Sequence, residues 1–140
     1  MSKKSKIYYC LNCNNLIPFK GYTYSHMYCD NKCQLDLRSK TTFAKNKKLF
    51  LEGKLHNRPA IRKVLTDIRG HKCESCGIED WQGNHITLQV DHINGDPYND
   101  KPDNLRLICP NCHSQTDSFA GANRGKGRWS KEGLAKYYKK

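Results

Sequence analysis

The sequence contains no long apolar run. Nothing in it approaches the roughly 18 apolar residues that a membrane-spanning helix needs. The basic opening, Met1-Ser2-Lys3-Lys4-Ser5-Lys6, leads into no apolar segment of signal-peptide length. A membrane or secreted protein is therefore not expected, and a cytoplasmic one is. Apolar residues are scarce throughout: 36% of the 140 residues are hydrophobic, and the mean hydropathy is −0.88. So thin a core usually needs a covalent or metal staple. Acidic residues are also few, 13 against 25 Lys and Arg. The resulting charge of +12 points to a polyanionic partner. Charge alone does not separate a specific nucleic-acid binder from a merely basic, soluble protein.

Cysteine, by contrast, is plentiful. Eight cysteines stand in close pairs: Cys10-x2-Cys13 with Cys29-x3-Cys33, and Cys73-x2-Cys76 with Cys109-x2-Cys112. In a reducing compartment such pairs bind metal rather than form disulfides. Each set supplies four thiolates, which fill a tetrahedral shell and leave no position for substrate. Two structural Zn2+ ions are expected. His26 lies near the first set, whose shell the cysteines already fill. His56, His71 and His85 read as polar surface residues.

Four segments follow. Residues 1–38 form an N-terminal four-cysteine zinc module, treble-clef-like or ribbon-like. Pro18 and Gly21 mark turns there, Tyr22, Tyr24 and Tyr28 are spaced for a hairpin, and Gln34–Arg38 suits a short helix. Residues 39–58 are a lysine-rich linker or helix. Residues 59–120 begin with Ile61, Val64, Leu65 and Ile68 at the spacing of an amphipathic helix that Gly70 ends. A hairpin then follows the Cys73 knuckle, with strands over Ile86–Val90 and Leu105–Ile108. Pro110 opens a last helix running to about Phe119. Residues 121–140 are a basic, glycine-rich tail that turns helical over 131–138. The fold class is α+β. Segment charges are +4, +5, −3 and +6 in chain order. The acidic balance thus falls on the segment with the candidate chemistry, and the basic arms flank it.

That chemistry sits inside the second cysteine set. Asp91-His92 ends a strand, Asn104 precedes the next, and His113 follows the last cysteine. Adjacent strand residues point to opposite faces, so Asp91 and His92 are expected to share a site only because the chain leaves the strand there. Cys112 and His113, successive on a helix, can face the zinc and the hairpin respectively. The run CESCG…LQVDHINGD…DNLRLICPNCH resembles the HNH endonucleases over about residues 70–120, and its wording is similar to free-standing phage-borne members. The resemblance implies a ββα-metal core preceded by a helix. It implies His92 as general base, Asn104 as the loop-ordering asparagine, and Asp91 with His113 as ligands of a catalytic divalent metal.

A metal held by so few protein ligands keeps positions open for water and phosphate, and oxygen plus one imidazole suits Mg2+ or Mn2+. The expected partner is DNA, with no membrane and no small-molecule cofactor beyond metals. The expected reaction is phosphodiester hydrolysis, by nicking or double-strand cleavage, to 5′-phosphate and 3′-hydroxyl ends, in the host cytoplasm if the gene is a phage's. The alternative is a zinc-dependent nucleic-acid-binding protein that does not cut. Arg106 reads equally as a phosphate contact or as strand surface, and Asp117 as a partner of His113 or as a solvated helix position.

Overall fold

The computed structural model describes residues 7–17 and 27–119. The expected tyrosine hairpin at Tyr22 and Tyr24, His26 and the basic tail lie outside the described residues. The chain divides into two compact units, residues 1–45 and 46–140.

In the first unit, strands β1 (Tyr8–Tyr9) and β2 (Leu16–Ile17) pair antiparallel. Between them the Cys10–Cys13 knuckle turns tightly, with the Asn14 amide donating to the Cys10 carbonyl at 2.9 Å. Asn14 adopts φ 58°, a left-handed conformation that asparagine tolerates better than most residues. Helix α1 (Asn31–Leu51) follows. The Asp30 carboxylate accepts from the Cys33 amide at 2.7 Å, satisfying one of the helix's orphan donors and holding the cysteine in place. The lysine-rich stretch after Arg38 thus continues as helix up to Leu51. Only Phe50 of α1 is buried, so most of the helix keeps its polar surface in water. Gly53, at φ 67°, ends it by turning the chain where a side chain would strain the backbone.

The second unit is built on a hairpin between two helices. Helix α2 (Arg58–Arg69) is capped by Asn57, whose side chain accepts from the Ala60 amide at 2.9 Å. Pro59 occupies its first turn, where a missing N–H costs nothing. Ile61, Val64 and Leu65 are fully buried, whereas Ile68, spaced for the same stripe, is largely exposed one turn later. A small hairpin that sequence spacing did not suggest comes next: β3 (Asp80–Trp81) pairs with β4 (Asn84–His85). Its two-residue turn, Gln82-Gly83, has positive φ at both positions, matching the twist of tight hairpins.

Strand β5 (Gln89–His92) pairs antiparallel with β6 (Leu105–Ile108), placing Val90 opposite Leu107, Asp91 opposite Arg106 and His92 opposite Leu105. The first of these strands starts three residues later than alternation suggests and includes both Asp91 and His92. Strand periodicity therefore sends these two side chains to opposite faces. Leu105 and Leu107 share the His92 face and are fully buried, as are Ile61, Val64 and Leu65 of α2, which packs on both strands. Helix α3 (Pro110–Ser114) packs against β5. It ends five residues short of Phe119, because Ser114 and Thr116 hydroxyls donate to the Asn111 and His113 carbonyls and compete with further helix. No helix among the described residues is long and apolar enough to cross a membrane.

With so small a core, each apolar contact carries weight. Leu65→Ala should destabilise the protein by about 2–5 kcal/mol, measured by chemical denaturation in zinc-replete buffer. A loss under about 1 kcal/mol would mean that α2 is not the wall of this core.

Candidate active site and metal centres

The two cysteine sets each converge. In both, the four sulfurs lie within 4.8 Å of one another. Four sulfurs around one zinc at about 2.3 Å stand about 3.8 Å apart. Cys13 and Cys29 are 3.7 Å apart and Cys76 and Cys109 are 4.0 Å apart, near that value, while the Cys29–Cys33 pair at 3.2 Å must open slightly. Electrostatics points the same way. Backbone amides of the knuckle, that of Cys13 first, lower the Cys10 thiol to about 6. At Cys73 burial opposes ionisation, but amides of Cys109, Cys76 and Ser75 outweigh it and bring the thiol down to about 6. The neighbouring sulfurs of Cys76 and Cys109 push Cys112 up to about 12, and that of Cys33 raises Cys29. One thiolate per set is welcome and further ones repel it, a conflict that a divalent cation removes.

The local backbone explains why the second set converges. The Gly77 amide donates to the Cys73 carbonyl at 2.8 Å, closing the knuckle. The Glu74 amide donates to the Leu107 carbonyl at 2.8 Å, and the Leu107 amide donates to the Glu74 carboxylate at 2.7 Å. These bonds attach the knuckle to β6, so Cys109, just past the strand, arrives beside Cys73.

On the α3 face of the hairpin, Asp91 and His113 come together. Asp91 is buried, and its Oδ2 accepts from Arg106 Nε and Nη2, both at 2.8 Å. Its Oδ1 faces His113 Nε2 at 3.7 Å. His113 Nδ1 is hydrogen-bonded to Gln89 Oε1. An amide oxygen only accepts, so Nδ1 carries a proton, and in the neutral ring Nε2 is then the nitrogen with the lone pair. In that form a carboxylate oxygen and an imidazole nitrogen face each other as two acceptors. Their separation falls in the span of about 3–4 Å between two ligands of one ion. A cleft of about 560 Å3 opens beside Arg106, lined also by Ile93, Asn94, Gly95, Gln115 and Asp117.

His92 lies on the other face with different neighbours. It is 8% exposed. Its Nε2 is 3.0 Å from Asp100 Oδ1, and its Nδ1 is 3.4 Å from Arg58 Nη1. Asp100 Oδ2 meets His56 Nδ1 at 2.7 Å. Burial raises the Asp100 carboxyl, but hydrogen bonds from His56 and His92 and the Arg58 charge outweigh it and hold it below the ordinary range. Asn104 ties the connecting loop together. Its Oδ1 accepts from the Asn94 amide at 3.1 Å, and its Nδ2 donates to the Asn99 carbonyl at 2.8 Å.

Sequence reading did not single out Asp100, Arg58 or Gln89, and it took His56 for plain surface. His56 is indeed exposed, yet it bonds a buried carboxylate. Arg106, left between phosphate contact and surface, pairs with Asp91. Asp100 offers one sequence signal, an acid within the polar loop bracketed by Asp91-His92 and Asn104. The partners from the start of α2 lie more than thirty residues upstream and give none.

The Asn104 bonds lead to an expected outcome. Asn104→Ala should cost about 1–3 kcal/mol and release the Asn94 amide to fast hydrogen exchange. Unchanged protection at Asn94 would show that the loop is held by other means.

Comparison with known proteins places these observations. Residues 73–119 match the family model of the HNH endonucleases. The chain is also similar to the H-N-H endonuclease F-TflIV of Escherichia phage T5, with 48% identity over 65 residues, which make up 46% of this chain and 29% of the relative. The chain thus spans under a third of the relative's length. No solved structure matches it significantly. The matched segment, residues 73–119, holds the cysteine-bracketed hairpin, the Asp91-His92 pair and the terminal His113, and it is similar to the HNH endonucleases in these features.

Proposed function

We propose that the protein is a metal-dependent endonuclease that hydrolyses DNA phosphodiesters to 5′-phosphate and 3′-hydroxyl ends. The observation that carries this reading is the facing pair of lone pairs on Asp91 Oδ1 and His113 Nε2 within an HNH domain.

A phosphodiester is anionic and repels the hydroxide that would attack it. Asp91 and His113 would hold a divalent ion, Mg2+ or Mn2+, which supplies Lewis acidity and stabilises the leaving oxygen. Arg106 fixes Asp91 by occupying its second oxygen, leaving the first for the ion. Asp91 and His92 project to opposite faces of β5, so the scissile phosphate lies across the end of the strand, at the Ile93–Gly95 turn. There His92 accepts a proton from the attacking water, and Asn104 orders the loop on which the geometry depends.

The flanks serve the substrate. Residues 1–38, 39–58 and 121–140 form a zinc module, a basic stretch that is helical up to Leu51, and a basic tail around the nuclease segment 59–120. Their charges of +4, +5 and +6 offset its −3 and hold the DNA backbone. Two structural zinc ions, one per cysteine set, staple the two small folds.

Supercoiled plasmid incubated with the protein and magnesium should become nicked or linear, with 5′-phosphate and 3′-hydroxyl ends on mapping. His92→Ala should lower cleavage on the order of 10²–10⁴-fold while DNA affinity and circular dichroism stay close to wild type. Binding without cleavage by the wild type would favour the non-cutting alternative, and wild-type cleavage by His92→Ala would remove His92 from the chemistry. Elemental analysis should give two zinc ions per chain, and chelation should unfold the protein rather than only inactivate it. One zinc would remove one of the two staples from the scheme.

A further inference from the structure

The reading above gives His92 the role of base but leaves open which ring nitrogen takes the proton. His92 is held between two groups of fixed hydrogen-bonding character. Asp100, 6% exposed, presents Oδ1 to Nε2 at 3.0 Å, and Arg58 presents Nη1 to Nδ1 at 3.4 Å. An ionised carboxylate only accepts hydrogen bonds, and a guanidinium only donates them. Asp100 at 3.0 Å therefore favours a proton on Nε2, and the longer Arg58 contact favours a lone pair on Nδ1. Both neighbours favour the same tautomer.

We infer that Asp100 is a positioning residue for His92, fixing the ring as its Nε2–H tautomer so that Nδ1 is the nitrogen that accepts the proton from the attacking water. This inference rests on the reading of His92 as general base. In balance, the water oxygen forms the bond to phosphorus as one of its O–H bonds breaks, and the proton forms an N–H bond at Nδ1. The P–O3′ bond breaks with its electron pair leaving on the 3′ oxygen, which takes a proton from solvent to become the 3′-hydroxyl.

The carboxylate is well fixed for this task. His56 Nδ1 holds the other oxygen of Asp100 at 2.7 Å, so the carboxylate does not rotate away from the ring. Arg58 Nη2 lies 3.7 Å from Asp100 Oδ1 and donates to the Pro97 carbonyl at 3.2 Å, so the guanidinium is anchored apart from its contact with His92. A carboxylate that only tied the start of α2 to the loop would need His56 and Arg58, not a bond to His92. The contact at 3.4 Å is long for a hydrogen bond, and the Arg58 side chain is 37% exposed. A substrate phosphate reaching this point draws the guanidinium to itself and frees Nδ1.

The test uses the full-length, zinc-loaded protein labelled with 15N. Long-range 1H–15N correlation spectra of the wild type should show His92 with a protonated Nε2 and an unprotonated Nδ1. An Nδ1–H tautomer there would overturn the inference without reference to cleavage. Asp100→Asn offers an amide that can donate to Nε2. It should shift His92 towards the other tautomer and lower kcat on the order of 10²-fold or more, with KM changed by less than about threefold. Wild-type kcat and an unchanged His92 spectrum in Asp100→Asn, beside an inactive His92→Ala, would overturn the positioning role and leave the base intact. Wild-type cleavage by His92→Ala would instead remove the base and the inference with it. Should Asp100→Asn fold poorly, the wild-type spectrum still decides the tautomer, and Asp100→Glu, which keeps the acceptor, should keep it.

Discussion

The second unit depends on the register of four residue pairs between β5 and β6. With Asp91 opposite Arg106 and His92 opposite Leu105, the hairpin presents a carboxylate and its counter-ion to α3. The other face gives two fully buried leucines to α2. A slip of one residue would turn Asp91 and Arg106 into the apolar layer and expose Leu105 and Leu107. The same ladder positions the second cysteine set and the Asp91–His113 pair. It delivers Cys109 beside Cys73, and it carries Gln89 to the ring of His113. Core, cysteine set and candidate catalytic ligands are therefore set by one local pairing.

Each buried charge around that ladder has an answer within reach, and the answers fix chemistry as well as stability. Asp91 is met by two nitrogens of Arg106 on one oxygen, which leaves the other available. Asp100 is met by His56, His92 and Arg58, enough to keep its carboxyl low despite burial. Breaking such a pair would strand a charge away from water, which costs far more than the pair gains. Because carboxylates and amide oxygens accept while guanidinium groups donate, these neighbours also constrain the hydrogen-bonding roles open to the ring nitrogens of His92 and His113. Structural neutralisation and preparation of the rings are the same contacts.

The cysteines compensate for the shortage of apolar material. Among the described residues of the second unit, the largest fully buried side chains are Cys73 and a small apolar cluster of Phe50, Ile61, Val64, Leu65, Leu88, Leu105, Leu107 and Ile108. In the first unit Cys10 is buried, while Cys13 and Cys29 are exposed. Sulfur sets that accept one thiolate and resist further ones suit a divalent cation, which would offset the repulsion. Each set is thus a place where a bound cation could add cohesion that the apolar core does not supply.

Much of this was legible in the sequence because it is written in local patterns. Close cysteine pairs gave the two sulfur sets, helical spacing gave α2 and its burial of Ile61, Val64 and Leu65, and the cysteine-bracketed Asp-His…Asn…His pattern gave the HNH domain. The polar stretch after Arg38 was ambiguous between helix and linker, since α1 buries so little that no apolar stripe marks it. The Gln82-Gly83 hairpin was missed because its strands are two residues long and too short to alternate. Only tertiary structure decided the partners of the candidate site. Arg106 meets Asp91 through cross-strand register, and Gln89 meets His113 because α3 packs on β5. His56 reaches Asp100 across 44 residues of sequence, and Arg58 reaches His92 across 34. Hydrogen bonds between residues so far apart follow from packing, and no spacing in a linear sequence encodes the angle at which a helix meets a hairpin.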